Sequence, residues 1–173
     1  DFEDLGFLFF ATPIIEVEEV EVRETKRYMM EDLGTTDDFD FNDVVVDVSN
    51  VWTKKITRQE NASTGEVAYH EEVIENSKRQ EAIVRAAGGI LDFTINIGSS
   101  SWTKSEHLTP FNQMMNTGIG KAIDYNAVLD QFNIENKDWN PETNNISITV
   151  DGRGGNAGVQ VIPFPKEGEI PMI

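Results

Sequence analysis

Hydrophobic and polar positions alternate with a period of two along most of this chain. In "IIEVEEVEV" the alternation runs from Ile15 to Val22, with a phase slip at Glu18–Glu19 that predicts a bulge or bend in a strand. "VVVDVSNVW" sets Val44, Val46 and Val48 on one face. "EAIVRAA" and "ILDFTINIG" read as two further strands, with Gly88–Gly89 between them as a tight connection. "NISITV" and "VQVIPF" flank "DGRGGNAG" and predict a terminal hairpin with a loose loop. The segment from Thr53 to Gln80 is polar, with "ENASTGE" as a turn, and reads as a long hairpin with solvated faces. Helical signals are confined to "LTPFNQMMNTG", where Thr109 fits an N-cap, Pro110 the first helical position and Gly118 a stop. Roughly eight strands at these spacings predict an all-β, antiparallel β-sandwich of jelly-roll-like or Greek-key type, with at most one or two short helices. No break in composition divides the 173 residues, so 1–173 is expected to form a single domain.

Charge changes this picture at one place. The chain carries 31 acidic against 14 basic residues, a formal net charge of -17, which disfavours nucleic acid and anionic membrane surfaces and favours cations or basic partners. The longest apolar run, "GFLFFATPII", is interrupted by Pro13 and too short to cross a bilayer, so no direct membrane insertion by this segment is expected. The stretch "MEDLGTTDDFDFNDVVVDVS", Met30 to Ser49, gathers seven acidic side chains and then runs into valines. Asp38, Asp40 and Asn42 stand at alternate positions, with Asp43 alongside and Glu31 and Asp32 upstream. Calcium takes about six to eight oxygen ligands at about 2.3–2.6 Å, and a D-x-D-x-N spacing in a tight loop turns successive oxygens toward one ion. Magnesium keeps more water, and transition metals prefer histidine or cysteine, of which the chain has two and none. The glycine and distal glutamate of an EF-hand loop are missing, so it is not that motif, and the bland alternative is a solvated loop in an acidic protein. One regular strand from Asp38 to Val48 would place carboxylates and core valines on a single face. A ligand loop through about Asn42, followed by a strand whose valines enter the core, resolves that conflict, with Phe39 and Phe41 packed beneath the loop.

Other chemistry finds less support. Trp102 and Trp139 lie in polar stretches, and exposed indoles there would make a carbohydrate-binding module, against the bland alternative that they pack on the sandwich edge. Paired carboxylates of a glycoside hydrolase need a defined separation and an apolar pocket, and abundance of acids supplies neither. There is no G-x-S-x-G, "GRGG" at Gly152–Gly155 lacks the Lys-Ser/Thr of a phosphate loop, and His107 and His70 read as a loop or helix-start residue and an exposed strand residue. No enzyme is expected. The absence of cysteine leaves a domain outside the cell in need of another staple, a part that bound calcium plays.

"EDLGTTDDFDFNDVVVDV" resembles the signature of the LruC-like domain family of bacterial exported and surface proteins. "AIVRAAGGILDFTINIG" followed by "EHLTPFNQMMNTGIG" is similar to that family's A-A-G-G strand pair and N-T-G segment, and "VDGRGGNAGVQVIP" is a weaker third match. The matches run in order from Tyr28 to Pro165. The resemblance implies a β-rich, exported domain, at the cell surface, outer-membrane-associated or extracellular, often in lipoproteins, with no reaction attached. It places the acidic motif on Glu31, Asp32, Asp38, Asp40, Asn42 and Asp43 and makes Ala86–Gly89 a structural turn. Family members continue past the equivalent of "GEIPMI", so a C-terminal extension is also implied. The function expected on these grounds is adhesion, assembly or ligand binding, with a surface protein or glycan as partner and Ca2+ as a structural ion.

Overall fold

The structure is a computed structural model that describes residues 12–30, 43–88, 90–118, 121–143, 145–151 and 159–163. It is all-β, built from antiparallel sheets, as the alternation predicts. Nine strands are described: β1 (Ile14–Met30), β2 (Val44–Glu60), β3 (Val67–Val73), β4 (Arg79–Ala87), β5 (Phe93–Ile97), β6 (Ser100–Thr103), β7 (Asp130–Ile134), β8 (Ile146–Asp151) and β9 (Val159–Pro163). One short helix, α1 (Lys104–His107), and a 3-10 turn at Glu135–Lys137 complete them. The chain packs as two compact units, and β1 and β2 each contribute to both.

The larger unit comprises 23–51 and 79–173. Its strands lie in two sheets, with hydrogen-bonded orders β1-β2-β4-β7 and β6-β5-β8-β9. They share one core. Val44, Val46, Val48, Ala82 and Val84 come from the first sheet, and Phe93, Ile95, Ile97, Ile146, Ile148 and Val150 from the second. The predicted valine face of β2 is therefore the core face. The opposite face of β2 is covered as well, since every residue from Val44 to Ser49 is buried. The hairpin expected at the C-terminal end exists as β8–β9, with Ser147 opposite Pro163 and Asp151 opposite Val159.

Two local expectations are corrected. β4 and β5 do not form a hairpin through Gly88–Gly89: β4 pairs with β2 and β7, whereas β5 pairs with β6 and β8. The connection carries the chain from one sheet to the other. The segment after Leu108 is not helical. Met115 exchanges both backbone hydrogen bonds with Ala87 (3.0 and 2.8 Å), so its peptide groups extend the end of β4 instead of closing a helical ladder. The helix that forms, α1, ends before that segment, at His107.

β5 and β6 are joined by a two-residue turn, Gly98–Ser99, with Ile97 opposite Ser100. Gly98 has φ +57, and a Cβ there would stand 2.2 Å from the Asp138 Cβ. Both the conformation and the close approach require glycine. The Asp138 carboxylate accepts hydrogen bonds from the Ser99 hydroxyl (2.6 Å) and backbone N–H (3.0 Å), which hold its pKa below the ordinary value.

The smaller unit comprises 1–22 and 52–78. β2 bonds to both β1 and β3, and the β2–β3 hairpin runs from Lys54 opposite Val73 to Glu60 opposite Val67. Asn61 organises the turn: its side-chain oxygen accepts from the N–H groups of Ser63 and Thr64, and its carbonyl accepts from Gly65, φ +72. The solvated hairpin read from Thr53 to Gln80 is thus present.

Candidate functional site

Of the six expected metal ligands, Glu31, Asp32, Asp38, Asp40 and Asn42 lie outside the described residues, and Asp43 is described. It sits half-buried on a bend immediately before the buried half of β2. Its carbonyl accepts a hydrogen bond from the Gly88 N–H at 2.7 Å, and the next residue, Val44, faces Ala87. Ala87 in turn is clasped by Met115. Asn116, with φ 57, donates its amide to the carbonyls of Arg85 (2.8 Å) and Asp124 (2.7 Å) and accepts from the Asp124 N–H (3.2 Å). Three blocks distant in sequence, the end of the acidic stretch, "AAG" and "NTG", therefore meet at the start of β2. Sequence spacing alone marks each block, but not their meeting. Among the described residues no three His, Cys, Asp or Glu side chains are grouped to hold a metal ion.

The acids that the described structure buries serve another purpose. Asp47 points to the sheet face opposite the core valines and is only 3% exposed. Arg27 grips its carboxylate with two hydrogen bonds (2.6 and 2.7 Å), and Arg85 adds a third at 2.8 Å. Burial by itself raises the Asp47 pKa, and the hydrogen bonds from Arg27 and Arg85 outweigh it, so the carboxyl is held below its ordinary value. Arg27 also lies over the Tyr125 ring at 4.8 Å, and the Arg85 guanidinium donates to the carbonyls of Asn126 (3.3 Å) and Ala127 (3.0 Å). Further along the same face Thr25 and Ser49 hydroxyls pair at 2.8 Å. Beyond them the buried Glu81 pairs with Arg23 and Arg79. Each buried carboxylate is thus matched by two guanidiniums, the arrangement that offsets the cost of removing charge from water. The sequence carries a signal for it: Arg23 and Arg27 share parity on one strand, as do Arg79, Glu81 and Arg85 on another.

The tryptophans are corrected. Trp102 is 1% exposed and Trp139 is 3% exposed, so neither offers a ring face to a sugar. Trp102 donates its indole N–H to the Asp130 carboxylate at 2.7 Å and packs between Phe93, Phe132 and His107. The Trp139 indole donates to the Tyr28 hydroxyl at 3.1 Å. Trp102 lies on β6, where "SSSWT" alternates into the core, and the polar neighbours that suggested a loop are the outward residues of a strand. His107 ends α1, with Nδ1 3.0 Å from the same Asp130 oxygen, and His70 is exposed on β3. Lys104 is fully buried, its Nζ 5.6 Å from the Phe93 ring centre.

An open recess of about 640 Å³ lies at the turn of the smaller unit, lined by Pro13, Gln59, Asn61, Glu66 and Val67 among others. Among the described residues lining it, Glu66 brings the single carboxylate. Among the described residues no helix is long and apolar enough to cross a membrane.

No protein-family model, no curated protein and no solved structure matches the chain.

Proposed function

We propose that this chain is a non-catalytic, exported or cell-surface β-sandwich domain of the LruC-like kind, whose acidic stretch binds calcium for structural reasons. The placement of Asp43 carries the reading. The last of the candidate ligands is fixed at the mouth of a strand buried on both faces, tied through Gly88 to the end of β4. A donor set of carboxylates and one amide, all oxygen, fits calcium. Glu31, Asp32, Asp38, Asp40, Asn42 and Asp43 would hold the ion, and bound calcium would supply the positive charge that lets these acids stand together beside a hydrophobic strand. The partner is a surface protein or glycan, met in adhesion or assembly. The use of these acids supports a non-catalytic role, because the buried Asp47 and Glu81 are engaged by arginine, and the half-buried Asp130 by tryptophan and histidine, as parts of the packing.

Thermal unfolding with calcium, with magnesium at matched ionic strength, and with a chelator tests this. A ligand that binds only the folded state stabilises by RT ln(1 + [L]/Kd), about 2.7 kcal/mol at a hundredfold excess over Kd. Calcium is expected to raise the midpoint well beyond magnesium, and Asp40→Ala to remove that increment. A midpoint that ignores the chelator, with wild type and Asp40→Ala melting alike, would reject the calcium assignment.

A further inference from the structure

The described residues of the smaller unit, 12–22 and 52–78, include none that is buried. They nevertheless carry Ile14, Ile15, Val17, Val67, Tyr69 and Val73 as exposed large apolar side chains. A small sheet without a covered face is marginal in water, and exposed apolar side chains at strand spacing mark a surface that meets another. Among the described residues, β3 is an edge of this sheet, bonded to β2 alone.

The backbone phase of β3 is fixed by the hairpin. Asn61 donates to the Glu66 carbonyl at 2.8 Å and Ile74 to the Thr53 carbonyl at 2.9 Å, and the register between these pairs is unbroken. Hydrogen-bonded pairs alternate in an antiparallel ladder, so Ala68, His70 and Glu72 turn their backbone groups toward β2. Val67, Tyr69, Glu71 and Val73 turn theirs outward.

We propose that β3 pairs, edge to edge and antiparallel, with β3 of a second copy of this chain, about a two-fold axis at His70. The strand "VAYHEEV" is chemically self-complementary about that point. Val67 meets Val73 of the partner, Tyr69 meets Glu71, and Ala68 meets Glu72. The outward backbone groups fall on the Val67–Val73 and Tyr69–Glu71 pairs, which become the hydrogen-bonded pairs of the new ladder. The two copies of His70 form the central pair without backbone hydrogen bonds. The side-chain order about His70 selects a second copy as the occupant, and local ion pairs reduce the repulsion between two acidic chains. Glu71 is already matched by Lys54 at 3.1 Å and Glu72 by Lys55 at 3.0 Å, so the acids of two copies meet with their bases in place. The opposite edge of the sheet, on β1, carries Glu16, Glu18, Glu19 and Glu21, a density of like charge that guards an edge against pairing with itself. Seven residues of strand bury less than the roughly 1,200 Å² at which stable interfaces begin, so the dimer is weak and dissociates on dilution.

The test uses the full chain. Sedimentation from low micromolar to millimolar concentration is expected to show a monomer–dimer equilibrium. Val67→Lys combined with Val73→Lys sets like charges opposite at both ends of the strand and is expected to leave only monomer. Val67→Lys combined with Val73→Glu opposes unlike charges and is expected to restore the dimer. The chain has no cysteine, so His70→Cys introduces a lone thiol at the axis. Pairs without backbone hydrogen bonds bring side chains close, and mild oxidation is expected to give a covalent dimer much faster than Thr64→Cys in the exposed turn. The proposal is overturned by a wild type that stays monomeric at millimolar concentration. It is equally overturned by association that both Val67/Val73 variants leave unchanged, or by His70→Cys and Thr64→Cys cross-linking at one rate.

Discussion

Trp102→Ala is expected to lower the unfolding free energy by about 3–5 kcal/mol, the cost of emptying a large aromatic site in a packed core. The ring is 1% exposed and stands 6.0 Å from Phe93, 6.5 Å from Phe132 and 5.4 Å from His107, centre to centre. Its removal also leaves the Asp130 oxygen that accepted at 2.7 Å with one donor fewer, His107. Trp102→Phe separates the two contributions. It keeps most of the apolar volume and loses the indole donor, so a smaller cost of about 1.5–3 kcal/mol is expected from the lost hydrogen bond to a charged group. Urea unfolding of the three proteins measures both. Equal stability of wild type and Trp102→Ala would mean that the indole is not part of the core. The same comparison bears on the sugar-binding idea, because a tryptophan that stacks on a glycan face is expected to be dispensable for stability.

Asp47→Ala is expected to cost a comparable amount, about 3–5 kcal/mol, through a different cause: Arg27 and Arg85 are left facing each other with no carboxylate between them. This effect carries a pH signature. The folded Asp47 pKa is lowered from 3.8, so at acid pH the unfolded chain binds this proton more readily than the folded one does. The stabilisation is therefore complete above the unfolded value and is lost as pH falls through the folded pKa. The difference in stability between wild type and Asp47→Ala is expected to be constant near neutrality and to shrink in acid, below about pH 4. A difference that stays flat into strong acid would separate the destabilisation from the Asp47 charge.

Much of the fold was legible because burial and strand geometry write directly into residue parity. Val44, Val46 and Val48 announce the core face of β2, and the polar hairpin after Thr53 and the terminal hairpin follow from turn chemistry. Connections were harder to read. Gly88 and Gly89 permit a sharp change of direction, but a glycine pair is the same whether the chain folds back in its own sheet or crosses to the other one. "LTPFNQMMNTG" carries genuine helix-start residues, and its backbone is taken instead by Ala87, a partner 28 residues earlier in the chain. Trp102 was misplaced because polar neighbours were taken for a loop when they belong to a strand, whereas Trp139 does lie outside any strand and is buried there by backbone bonds to the Gln80 side chain and its indole bond to Tyr28. The acidic candidate ligands could be found by spacing alone. The arginine clamps on Asp47 and Glu81 show only as shared parity along each strand, because the sheet order that brings Arg27 to Asp47 and Arg23 to Glu81 is not written in spacing.

β2 is one unbroken strand from Val44 to Glu60, yet Val44–Ser49 is buried throughout and no residue from Trp52 to Glu60 is buried. Local opening free energies range from near zero at exposed segments to the full unfolding free energy in a core. Amide protons of the first half are therefore tied to global unfolding, while those of the second half escape through openings of the hairpin alone. A single continuous element would thus exchange with solvent as two, and a protease that finds its peptides by local opening would cut only beyond Val51.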